Sequence, residues 1–103
     1  MQTLTDPAEL DPALKGKSAM VLFHSSWCPF CRRFKPTFDA LAADQRTWEP
    51  IEVMLEEDEN PLWNRFRIEV VPTVLFFKDG EMVSRVDGRA GVGLRESDLR
   101  KAL

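Results

Sequence analysis

Ala19-Met20-Val21-Leu22-Phe23-His24-Ser25-Ser26-Trp27-Cys28-Pro29-Phe30-Cys31 is the stretch that decides the reading of this chain. Its first five residues are continuously apolar, and their length and β-branched and aromatic content predict a strand buried on both faces. From Cys28 to about Ala43 the spacing becomes helical. Phe30, Phe34, Phe38 and Leu41 share one stripe, with Arg32, Arg33, Lys35 and Asp39 largely off it. Pro36 removes one backbone donor and is expected to kink this helix rather than end it. Both cysteines therefore sit where a buried strand gives way to a helix. A helix N-terminus carries unpaired N–H groups and a partial positive charge, which stabilise a thiolate. Cys28, nearest that end and expected at the surface, is the natural nucleophile. Cys31, one turn on and deeper, can attack a mixed disulfide on Cys28 and release the product. Pro29 suits the first turn because it needs no N–H there, and Phe30 fills the pair with an apolar ring.

Reading outward, Met1–Thr5 predicts a short first strand, and Asp6-Pro7 a helix start running to about Leu14 and closed by Gly16. Ile51, Val53 and Leu55 alternate with Glu52 and Met54 as a third strand. The acidic run 56–59 is a solvated loop or a helix start, followed by a helix over 61–67 with Leu62, Phe66 and Trp63 facing inward. Val74–Phe77 is a second continuously apolar strand, and Asp79-Gly80 is a hairpin turn leading into an edge strand over 81–86. Gly88, Gly91 and Gly93 fill a loop before a last amphipathic helix over 94–103, capped by Ser97 if it starts late. The order β-α-β-α-β-α-β-β-α predicts an α/β fold. It has a central mixed sheet of four to five strands, helices on both faces and a closing antiparallel hairpin.

The 103 residues, 44% hydrophobic and 30% charged, fit a single globular domain over 1–103. A net charge of −3 argues against a general nucleic-acid binder. No apolar run approaches a membrane span, and Met1–Leu10 carries neither a basic nor an apolar leader region, so a cytoplasmic setting without membrane contact is expected. The two cysteines close too short a loop to staple a fold, so the pair is either reactive or binds something. Zinc wants four ligands, and besides this pair the chain offers a single histidine, His24, so no metal is expected.

With these residues in view, the chain resembles the thioredoxin family over nearly its whole length. Trp27-Cys28-Pro29-Phe30-Cys31 is similar to the family's Trp-Cys-Gly-Pro-Cys, Pro36 to its kink proline, and Val71-Pro72-Thr73 to its cis-proline loop. Phe76–Glu81 is similar to its closing hairpin and Gly88 to its substrate-groove glycine. The resemblance implies reversible thiol–disulfide exchange with protein disulfides, with no organic cofactor. Electrons would come from an external reductase or small thiol, and a monomer is expected. It implies a cis Pro72 beside the sulfurs, with the Val71 backbone presented to an extended substrate segment by strand addition. Trp27 would flank the groove or pack on the core edge, and Thr73 would simply begin a strand.

Three departures matter. The family's buried Asp, six residues before the first Cys, is Leu22 here; Glu56 or Glu57 are the acids that would have to replace it, against the plainer reading of a solvated loop. Cys-Pro-Phe-Cys is similar to the glutaredoxin motif, yet the Lys that motif carries three residues before its first Cys is Ser25. A more oxidising couple than a housekeeping thioredoxin is expected from this dipeptide. His24 stands where thioredoxins usually have Trp. As an imidazolium it would act on Cys28; as a strand-end residue it would bond to backbone or water. A glutathione-dependent enzyme and a non-enzymatic redox-sensing adaptor remain as alternatives.

Overall fold

A computed structural model describes residues 1–103. Alternation of side chains along the two apolar runs gives the sheet two buried faces. In β2 (Ser18–His24), Ala19, Val21 and Phe23 point to one face and Met20 and Leu22 to the other; in β4 (Thr73–Lys78), Leu75 and Phe77 oppose Val74 and Phe76. The remaining strands are β1 (Gln2–Leu4), β3 (Glu49–Met54) and β5 (Glu81–Val86), and the spatial order is β1-β3-β2-β4-β5. β1, β3 and β2 run parallel, whereas β4 is antiparallel to both β2 and β5. The sheet is therefore mixed, with β2 at its centre, as the sequence predicts.

Helices cover both faces. α1 (Leu10–Leu14) and α3 (Leu62–Arg65) pack on the Phe23 face. α2 (Pro29–Ala43) and α4 (Glu96–Arg100) pack on the Leu22 face through Phe34, Phe38, Leu41 and Leu99. α2 runs through Pro36 without ending. Asp6 caps a single 3-10 turn over Pro7–Glu9, accepting from the Ala8 N–H at 2.9 Å, before α1 begins. Asp79 and Gly80 both have positive φ (49° and 85°), the conformation a tight hairpin needs, and the Asp79 carboxylate accepts the Gly16 N–H at 2.7 Å.

Three expectations are corrected. α3 and α4 are shorter than the predicted 61–67 and 94–103. Ser97 lies inside α4 and does not cap it; the Asp98 carboxylate accepts the Arg95 N–H at 3.0 Å instead. Phe30 leaves the predicted stripe. In the first turn of α2 it is half-buried and packs against the cluster that holds the two cysteines, close to Gly93.

Candidate active site

Where β2 ends, the chain turns through Ser25–Trp27 and enters α2 with Cys28 as its N-cap. A residue in that position has extended backbone and a side chain that folds back over the first free N–H groups. Here the side chain is a thiol, and the Cys31 N–H points at Cys28 Sγ from 3.3 Å. The Cys28 thiol in turn donates to the Val71 carbonyl at 3.5 Å. Cys28 is only 4% exposed, so the expected surface thiol is instead a recessed one, because these two partners draw the sulfur inward. Both cysteines are free thiols.

Cys31 is fully enclosed, and burial pushes its pKa up to about 12, with the hydrogen bond to Cys28 adding to the effect. The Ser25 backbone N–H and hydroxyl act in the opposite direction. Neither acid proposed as a substitute for the missing aspartate serves Cys31. The Glu56 carboxylate accepts from the Ser26 N–H at 2.7 Å and the Ser26 hydroxyl at 2.5 Å, which holds its pKa below the usual range. The Glu57 side chain is exposed, and its carbonyl accepts the Trp63 indole N–H at 3.0 Å.

The second wall comes from the β4 side. The Val71–Pro72 peptide is cis, both residues are buried, and Val71 packs in the cluster that holds the two cysteines. Thr73, expected only to begin a strand, has a further role: its hydroxyl donates to the Val70 carbonyl at 2.7 Å and accepts the Gly88 N–H at 3.1 Å. Gly88 is pressed so close that a Cβ there would stand 2.2 Å from the Pro72 carbonyl oxygen. Trp27 is 57% exposed, with its indole N–H on the Glu56 carbonyl at 3.2 Å, so it is not part of the core. Pro29 is exposed; Phe30 is half-buried, with the Arg33 guanidinium 5.7 Å from its ring centre.

His24 is turned away from the imidazolium role. Its Nε2 lies 2.9 Å from Glu52 Oε1, too poorly directed for a proper hydrogen bond, and Glu52 also meets Lys35 at 3.6 Å. Burial lowers the His24 pKa below 6.5, so the ring is neutral at pH 7. His24 and Glu56 both have folded pKa values below their unfolded ones. Each contributes stability that is present above the unfolded value and lost as pH falls through the folded one. Urea midpoints are expected to hold above pH 6.5 and to decline below it, with a second decline below pH 4.5. His24→Phe should remove the upper part of that decline.

The thioredoxin family model matches residues 3–101. The chain belongs to the thioredoxin family. It is 34% identical to a thioredoxin of Mycoplasmoides gallisepticum over 86 residues, covering 82% of this chain and 85% of that one. The X-ray structure of Fasciola hepatica thioredoxin is 30% identical and superposes with a TM-score of 0.80, covering 99% of this chain and 95% of that one. A chain in the crystal structure of a complex of ferredoxin:thioredoxin reductase with thioredoxin f2 shares the fold, with TM-score 0.80 at 23% identity over 98% of this chain and 91% of that one. As a thioredoxin, the chain is a thiol–disulfide oxidoreductase carrying its cysteines in the family's CXXC spacing. No helix is long and apolar enough to cross a membrane.

Proposed function

We propose that this thioredoxin exchanges its dithiol with the disulfides of protein substrates, with Cys28 as the attacking and Cys31 as the resolving sulfur. The observation that carries the reading is the unequal setting of the two thiols. Cys28 Sγ accepts a helix N-terminal N–H at 3.3 Å, whereas Cys31 is enclosed and burial pushes its pKa up to about 12, so it keeps its proton at neutral pH. The Cys28 thiolate attacks one substrate sulfur, the substrate S–S bond breaks, and the departing sulfur takes up a proton. Cys31 then loses its proton and attacks Cys28 Sγ. The second substrate sulfur leaves, and the chain retains a Cys28–Cys31 disulfide, having passed on two electrons.

The Val71–Pro72 turn supports backbone docking of an extended segment next to the sulfurs, with Trp27 and Gly88 at its flanks and Phe30 and Pro29 closing the motif side. A reductase of the kind seen with thioredoxin f2, or a small thiol, would return the electrons, most simply in the cytoplasm. Neither metal nor organic cofactor enters these steps. The buried, uncharged Ser25 offers nothing to a glutathione carboxylate, which favours protein disulfides over glutathione. The test is reduction of an insulin-like disulfide by the pre-reduced chain under stoichiometric conditions. One substrate disulfide should be lost per chain oxidised; no loss would leave the adaptor reading in its place.

A further inference from the structure

With Leu22 at the position where an acid would serve Cys31, the site has to manage an enclosed thiol without a carboxylate. The residue that closes the gap is Ser25. It follows β2 directly and is 1% exposed, and its hydroxyl has no well-formed hydrogen bond. A buried hydroxyl without a partner costs free energy and calls for an explanation. Its surroundings supply one. The Ser25 carbonyl accepts the Cys28 N–H at 3.4 Å, which ties this turn to the start of the motif, and the Ser25 backbone and hydroxyl both act to draw the Cys31 pKa down.

We propose that the Ser25 hydroxyl is a hydrogen-bond donor reserved for the Cys31 thiolate, formed when Cys31 attacks the mixed disulfide. This rests on the exchange reading above. A thiol is a weak acceptor and leaves the hydroxyl loosely held; a sulfur anion is a strong one and aligns it. In the step itself, Cys31 gives its proton to solvent, its thiolate bonds to Cys28 Sγ, and the bond from Cys28 to the substrate sulfur breaks, that sulfur leaving with the electron pair. Ser25 exchanges no proton; it holds charge on Cys31 until the new S–S bond forms. The titratable and charged groups on the flanking elements are otherwise engaged. His24 and Lys35 face Glu52, and Glu56 holds Ser26, which leaves Cys28 as the titratable neighbour of Cys31.

A chromophoric aryl disulfide reads both steps. Capture by Cys28 releases one aryl thiolate, and attack by Cys31 releases the second. Ser25→Ala is expected to lower the ratio of the second rate to the first by about tenfold near pH 7, the equivalent of roughly one unit in the Cys31 ionisation. Ser25→Thr, which retains the hydroxyl, should restore the ratio to within about threefold. In a Cys28→Ser background, the Cys31 Cβ resonance followed upward from about pH 8 should begin to move roughly one unit later for Ser25→Ala. An unaltered ratio in Ser25→Ala, or a loss in Ser25→Thr as large as that in Ser25→Ala, overturns the proposal. A parent protein that releases no first aryl thiolate overturns the exchange reading instead, and the resonance titration still decides the role of Ser25.

Discussion

Cys31→Ser converts this protein from a catalyst into a trap. The variant retains Cys28 at the helix N-cap with the N–H of residue 31 directed at its sulfur, so the first attack proceeds. The buried group that would expel the substrate is then a hydroxyl, a far poorer nucleophile than a thiolate. Mixed disulfides with substrate should accumulate, stable to gel electrophoresis without reductant, and turnover should fall at least about a hundredfold. Cys28→Ser should form no such adducts, because the remaining thiol is 1% exposed and resists ionisation. This asymmetry is the decisive measurement. If both variants trap substrate equally, or only Cys28→Ser does, the assignment of roles to the two sulfurs is wrong. Mass spectrometry of the trapped species also identifies the natural substrates.

Gly88→Ala should be the most damaging substitution outside the motif. The added methyl would stand 2.2 Å from the Pro72 carbonyl oxygen and 3.4 Å from Val70 Cγ1. The nearest of these is backbone, which has no rotamer to adopt, so either the 70–73 loop or the segment after β5 must shift. Movement also strains the Thr73 hydroxyl bridge that joins the two segments through Val70 and Gly88. Overpacking of this kind costs about 2–3 kcal/mol, equivalent in a domain of this size to a drop of roughly 10–20 °C in Tm. Because the displaced loop bears the carbonyl that faces Cys28, exchange should slow as well. A Tm within about 2 °C of the parent, with normal exchange, would show that the loop yields easily and does not set the geometry of the sulfurs.

The sheet and the long helix are legible in the sequence because their signals are local. Ala19–Phe23 and Val74–Phe77 are apolar on both faces, as central strands must be, and the Phe34, Phe38 and Leu41 stripe marks the buried side of α2. The two cysteines are legible for the same reason, since the strand-to-helix change happens between them and Phe23. Tertiary partnerships are not. In one dimension Ser25 and Glu56 are ordinary turn and loop residues, and Thr73 is an ordinary strand start. The Thr73 hydroxyl finds Val70 and Gly88, the Glu56 carboxylate finds Ser26 thirty positions away in the chain, and the Ser25 hydroxyl is buried without a partner. The exposure expected for Cys28 failed because the helix-end argument says where its N–H partner lies but not that the Val71 carbonyl closes over the sulfur. α4 is shorter than its pattern because Gly93, with φ of 77°, and the extended Arg95 hold the chain out of helix until Glu96.

The outer margin of the sheet bears on how the protein chooses its company. β5 leaves one side unpaired, and Met82 and Val83 are exposed along it, which in a flat ribbon would invite another chain to zip on. The irregular register between Phe76 and Phe77 disrupts the ladder at this border, and the exposed carboxylate of Glu81 stands at its start. Promiscuous stacking is thereby discouraged at the border. On the docking proposed for the Val71–Pro72 turn, a visiting polypeptide would seek its backbone partners beside the sulfurs, where contact is brief and ends in chemistry.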